Sequence, residues 1–322
     1  GLLRRPQEEG IVHEAEPESV DAIAALERLY RQTNRFSDLL AIAEKKRDLA
    51  TSWDDKRETL YGIARLYQNE LQNPSQAIAT YRAVLEEEPA DTVALTALDG
   101  LYREQQDWPA YIEILGSRIE LEADEAVLID LKYRLGQTLE RTGAAAGAVQ
   151  NYREILFLDQ AHDGAREALE ALLRNEELGG EVATILEPVY ELRNDWEKLI
   201  VALEILASVE KDVSRRVELL RKSARTAATN LSDLNRAFDA SARALKDDPQ
   251  NLATRTELEA YAKEANAWEK LDGVFQSIAE ALDDATLARD YWLRLAHIQE
   301  NLGKVEPAAE VYAKVLAIDP AD

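Results

Sequence analysis

The 322 residues carry 62 Asp and Glu against 38 Lys and Arg, a formal charge of -24, with 46% apolar and 31% charged side chains. That mixture is too apolar for a disordered chain and too charged for a membrane-embedded one, and its field repels nucleic acid and anionic lipid. No stretch reaches the roughly 18 uninterrupted apolar residues of a spanning helix. The absence of cysteine removes disulfides, thiolate metal sites and cysteine nucleophiles together, and leaves a soluble protein's compartment open between cytoplasm and periplasm.

Gly1 to Glu16 contains no apolar signal core, and Ala15 to Pro17 has the form of a helix ending, so 1–16 reads as a remnant or linker of a preceding unit. Related endings recur at Tyr81 to Pro89, Tyr152 to Gln160, more weakly Ser241 to Pro249, and Tyr312 to Pro320. Their closing positions are 72, 71, 89 and 71 residues apart. A single array over 17–322 is expected, with large units 17–88, 89–159, 160–248 and 249–320.

Within the first unit, Leu60, Ile63, Ala64 and Tyr67, then Ala77, Ile78, Tyr81, Val84 and Leu85, fall at three- and four-residue steps that predict helices. Pro74 suits a first helical turn and Pro89 a stop. An aromatic after a polar turn splits each unit: Phe36, Trp108, Trp196 and Trp268. Each unit therefore holds two helix pairs, and half of 71 residues lies near the roughly 34-residue class of helical repeat rather than those of about 40 or more. The third unit is 18 residues longer, predicting an added helix between Gln160 and Trp196, with Gly179-Gly180 as its break, Pro188 kinking it and a bend near 175–195. No segment alternates as a strand does. The expectation is an all-α chain of about seventeen helices, irregular near 161–195.

Trp292, Leu295, Ala296, Gly303, Ala308, Tyr312, Val315 and Pro320 closely resemble the tetratricopeptide signature, and Leu135, Gly136, Gly143, Ala148, Tyr152 and Ile155 repeat it. Small residues let two helices approach while the tyrosine fills the gap opposite. The resemblance implies a right-handed α-solenoid of antiparallel helix pairs that holds other proteins. Alternate pairs depart from it with Leu39, Tyr111, Leu199 and Leu271 where a small residue belongs, which predicts splaying. That alternation, with the longer turns at Leu71 to Pro74 and Leu231 to Asp233, is similar to the long multi-repeat proteins of deltaproteobacteria, including myxobacteria.

Chemistry is not expected. His13, His162 and His297 are too far apart to share a site in an array where units touch only neighbours. Glu86 to Glu88, Asp247-Asp248 and Asp283-Asp284 sit at helix ends rather than in a dry cleft. No phosphate-binding glycine loop or nucleophile elbow occurs. The chain reads as a non-enzyme with no cofactor and no metal.

Placing the first helix of each pair on a concave groove puts Arg28, Arg31, Arg65, Arg103, Arg221, Arg225, Lys263 and His297 there, joined by Tyr61, Gln68, Asn69, Tyr133 and Gln137. Such a stripe suits an acidic partner segment held by guanidinium forks and amides. The competing expectation is local pairing, as of Arg221 with Glu218. Both chain ends lack a polar capping helix, which predicts a piece of a longer repeat protein or end-to-end self-association. A structural spacer or self-assembling module is the alternative to a binding scaffold.

Overall fold

The computed structural model describes residues 20–318, which form seventeen α-helices and no strand. The expected remnant at 1–16, His13, Pro17 and Pro320 lie outside the described residues. The chain divides into two compact units between Leu158 and Asp159.

The first unit contains α1 (Val20–Gln32), α2 (Phe36–Leu49), α3 (Trp53–Arg65), α4 (Pro74–Glu87), α5 (Thr92–Gln105), α6 (Trp108–Leu121), α7 (Glu125–Arg141) and α8 (Ala145–Leu158). Phe36 and Trp108 open their helices, as the turn markers require. Asp91, Asp107 and Asp124 each accept backbone N–H bonds at a helix start, satisfying donors that have no partner within the helix. A π-turn, Leu66–Glu70, extends α3, with the Leu71 N–H donating to the Leu66 carbonyl at 2.9 Å. It absorbs the extra residue seen in the sequence.

The core of this unit is built from the periodic residues: Leu60, Ala64, Ala77, Tyr81, Val84 and Leu98 are all buried in one cluster. At Gly136 an added Cβ would lie 2.6 Å from the Tyr152 ring, so only glycine lets α7 and α8 close on that tyrosine. Leu39 and Tyr111 are also buried. Their pairs, α1/α2 and α5/α6, approach over less of their length than α7/α8, which is the expected splaying.

The second unit contains α9 (Asp163–Leu172), α10 (Gly179–Arg193), α11 (Trp196–Val209), α12 (Val213–Asn230), α13 (Leu234–Asp247), α14 (Leu252–Glu264), α15 (Trp268–Ala281), α16 (Ala285–Asn301) and α17 (Val305–Ile318). Leu258, Leu271, Phe275, Tyr291, Leu295 and Val311 centre its core. α14 and α15, the pair holding Leu271, touch over a short stretch, whereas α12/α13 and α16/α17 pack along most of their length; α10/α11, which holds Leu199 and was expected to splay, also packs closely.

The added helix is present. The chain breaks at 173–178, and Gly179-Gly180, expected to be the break itself, are the first two residues of α10. A Cβ on Gly179 would meet the Leu173 carbonyl oxygen at 2.7 Å, and one on Gly180 would meet Val209 at 3.1 Å, so close packing against the preceding turn and α11 is what these glycines provide. α10 continues through Pro188, which is exposed.

One regularity was not anticipated. Each turn within a pair carries a residue with left-handed backbone: Asn34, Gln72, Gln106 and Gly143 in the first unit, Asn194, Ser232, Asn266 and Gly303 in the second. Every member of the first set precedes its counterpart by 160 positions. Trp108 and Trp268, Pro89 and Pro249, and Tyr152 and Tyr312 share that offset. The chain is thus two like-spaced halves, the second preceded by α9.

Candidate partner-binding face

The predicted residues lie on α1, α3 and the π-turn that extends it, α5 and α7 of the first unit and on α12, α14 and α16 of the second. Their surroundings differ by unit. In the first, Arg28, Arg31, Arg65 and Arg103 are exposed, and none forms an ion pair among the described residues. Arg65 lies 6.0 Å from the Tyr61 ring centroid, a cation–π contact, and bonds the Tyr81 hydroxyl. Short turns make α1, α3 and α5 parallel, with Arg31 and Arg103 in the last turns of α1 and α5 and Arg65 in the last α-helical turn of α3, before the π-turn that continues it. Gln137 and Asn69 are exposed and Gln68 half-buried.

One of the predicted residues is buried away from a partner and another is partly covered. Tyr61 is buried, and its hydroxyl donates to the buried Asp91 carboxylate; burial first, then that bond, raise its pKa. Tyr133 is half-buried, with its ring 6.0 Å from that of Tyr152. Both were placed on the groove by helical phase alone, which ignores how closely the neighbouring helix approaches.

In the second unit the cations are consumed by carboxylates one helix pair away. Arg221 forms a fork with Glu257 at 3.0 and 2.8 Å, and Arg225 joins the same carboxylate at 3.2 Å. The expected Arg221–Glu218 pair is therefore replaced by one that ties α12 to α14. Hydrogen bonding to Glu257 is the main cause that raises the Arg221 pKa. Arg294 reaches Glu259 at 3.1 Å, Arg255 reaches Asp290 at 2.5 Å, and Lys222 reaches Glu187 at 2.7 Å and Glu191 at 2.5 Å. The continuous basic stripe expected across the array is absent here, because unit-spaced carboxylates neutralise it. Lys263 and His297 are exposed; His297 Nδ1 lies 3.3 Å from the Tyr312 hydroxyl and 3.5 Å from Glu300.

The remaining polar clusters have local work. His162 caps α9, its Nδ1 accepting from the Ala165 N–H at 3.0 Å. Glu88 accepts from the Trp53 indole at 3.1 Å and from Arg57 at 2.5 Å, and those bonds, in that order, hold its carboxyl below the ordinary value. Asp247 binds Arg216 at 2.7 Å, and Asp284 caps α16. The buried Asp99 accepts from both Arg118 and Arg134.

A feature the sequence reading missed is a cleft of about 820 Å³ between α1, α2 and α3. Ile23, Leu39, Ala43, Leu49, Gly62 and Leu66 form its apolar lining; Arg31 stands at one end and Asp55 and Glu58 toward the other. Glu27 and Lys46, 3.2 Å apart, offset each other on its wall. Gly62 was the available signal: a glycine in the interior of a helix-forming stretch.

Residues 58–91, from α3 to the cap of α5, and residues 290–322, over α16 and α17, each match a tetratricopeptide repeat model. The chain contains tetratricopeptide repeats. Solved structures with which it shares similarity include a MamA protein (17% identity, 55% of this chain and 93% of that one, TM-score 0.34). A tetratricopeptide repeat protein from Parabacteroides merdae gives 10% identity over 75% and 98% of the two chains, with a TM-score of 0.34. A complex of the TPR2AB domain of yeast Sti1 with pHSP90 gives 16% over 81% and 99%, with a TM-score of 0.28. No curated protein matches. Among the described residues, no helix is long and apolar enough to cross a membrane.

Proposed function

We propose that this chain is a non-catalytic scaffold whose first-helix face captures a segment of a partner protein, acidic where it crosses the edge formed by α1, α3 and α5. The observation that carries the reading is the row Arg31, Arg65 and Arg103, exposed and without ion pairs among the described residues in a protein of charge -24. Guanidinium groups without an ion-pair partner in an acidic chain are favourable sites for carboxylates, since they present forked donors that no internal carboxylate occupies. Asn69, Gln68 and Gln137 add amide donors and acceptors for an extended backbone. The resemblance to long deltaproteobacterial multi-repeat proteins, carried in the sequence by Leu39, Tyr111, Leu199 and Leu271 at alternate pairs, fits such a scaffold.

A second reading has its own support. The face of the second unit is laced by Arg221–Glu257, Arg294–Glu259 and Lys222–Glu187, which suits a spacer that holds its shape rather than a surface awaiting a ligand. The two roles are compatible in one chain, capture in the first unit and spacing in the second.

Anisotropy of a fluorescein-labelled glutamate-rich peptide tests the first reading. Arg65→Glu with Arg103→Glu is expected to weaken binding at least about tenfold, each lost charge-assisted bond contributing about 1.5–3 kcal/mol. Equal binding by the double variant would refute it.

A further inference from the structure

The cleft between α1, α2 and α3 has a counterpart in the same chain. Glu27, Arg31 and Gly62 precede Glu187, Glu191 and Lys222 by 160 positions. In the second unit Lys222 spans from α12 to α10 and places its ammonium 2.7 Å from Glu187 and 2.5 Å from Glu191. In the first unit neither half of that bridge exists: glycine replaces the lysine and arginine replaces the second glutamate.

Gly62 is not there for backbone reasons. It lies within α3, it is not among the positive-φ residues, and an added Cβ would meet nothing within 4 Å. A helix-interior glycine destabilises the helix relative to alanine. What it leaves among the described residues is an open cleft over Leu39, Ala43 and Leu66. Arg31 stands at the end where the parallel helices α1 and α3 finish, Glu58 and Asp55 toward the end where α3 begins, and neither Arg31 nor Glu58 has an ion pair among the described residues. At 1.5 Å per residue, Glu58 and Leu66 are about 12 Å apart along α3, the span of about four extended residues.

We propose that this cleft anchors the partner segment, taking two aliphatic side chains between a carboxylate of the segment on Arg31 and a lysine or arginine of the segment on Glu58 and Asp55. This rests on the capture reading and adds the chemistry of the occupant: an apolar pair with opposite charges at its two ends, the acidic end leading onto Arg65 and Arg103. The complementarity is that of the rim itself, positive at one end and negative at the other over an apolar floor. The second unit supplies the closed state, in which the protein's own lysine crosses the space.

The test uses the whole chain and a labelled peptide with two leucines between a lysine and a run of glutamates, beside a serine-for-leucine control. Gly62→Lys with Arg31→Glu transplants the bridge of the second unit. It is expected to raise the melting temperature and weaken binding of the leucine peptide at least tenfold, with the serine peptide binding weakly throughout. Gly62→Leu fills the same space without charge and is expected to weaken binding as well, so the result does not depend on the bridge forming. Unchanged affinity in both variants, or equal affinity for the serine peptide, overturns the proposal. If the glutamate-rich peptide still binds and only Arg65→Glu with Arg103→Glu removes it, capture stands and the cleft is not its anchor; if neither peptide binds the unaltered chain, both fall.

Discussion

Two glycines of the first unit are small for opposite reasons. A Cβ on Gly136 would collide with the Tyr152 ring at 2.6 Å, and that ring is fixed by burial and by its hydroxyl donating to Glu140 at 2.8 Å. Gly136→Ala is therefore expected to cost about 1–3 kcal/mol through overpacking, whereas Gly62→Ala, with open space at its Cβ, is expected to stabilise by about 0.5–1 kcal/mol. Urea denaturation of the two variants decides the signs. The tight role of Gly136 was legible in the sequence because small residue and tyrosine recur at fixed spacing. The open role of Gly62 was not, since nothing in a linear pattern distinguishes a glycine that admits a neighbour from one that admits a ligand. Tyr61 was misread for a related reason: helical phase placed it on the groove, but its bond to Asp91 depends on a residue thirty positions away.

At the scale of elements, charge ties the added part of the chain to the rest. Glu170 on α9 accepts from Lys198 on α11 at 2.9 Å and from Arg166 at 2.7 Å. Burial by itself would raise its carboxyl, but the bonds from Lys198 and Arg166 outweigh it and hold the group below the ordinary 4.5. A depressed carboxyl stabilises the folded state above the unfolded value, and that contribution disappears as pH falls through the folded value. The stability gap between the unaltered chain and Glu170→Gln is thus expected to be full at neutral pH and to close as the pH drops below 4.5, as thermal melts across an acid series would show. A gap that persists in acid would assign Glu170 a packing role instead. The existence of the extra helix was legible from eighteen surplus residues. The packing role of its opening glycines was not, because Gly179-Gly180 has the composition of a break while its environment, the Leu173 carbonyl and Val209, is set by tertiary approach.

The molecule as a whole is a pair of halves in which the same positions have been given different tasks. Asp99–Arg134 in the first unit and Glu259–Arg294 in the second occupy matching places, yet Asp99 is buried and also takes Arg118, whereas Glu259 and Arg294 are partly exposed. Removing Asp99 takes the buried carboxylate from Arg118 and leaves Arg134 with only the Tyr111 hydroxyl and Asp130, so Asp99→Ala is expected to cost about 3 kcal/mol. Since each unit has its own core, hydrogen exchange should accelerate in α5, α6 and α7 while α14 to α16 keep their protection. Uniform acceleration across both units would mean that they unfold as one. The helical class and the pairing of helices were visible from periodicity, but the offset of 160 was hidden because the 89-residue interval reads as one anomaly until the turn residues are laid against each other.

The eight left-handed turn residues have a further consequence. Six of them are Asn, Gln or Ser rather than Gly, and a side chain in that conformation costs on the order of 1 kcal/mol. The turns are far apart, so these penalties act nearly independently. This protein consequently holds an untapped reserve of thermal resistance, distributed along its turns and separate from the cleft, on which an engineer could draw without altering what the first unit recognises.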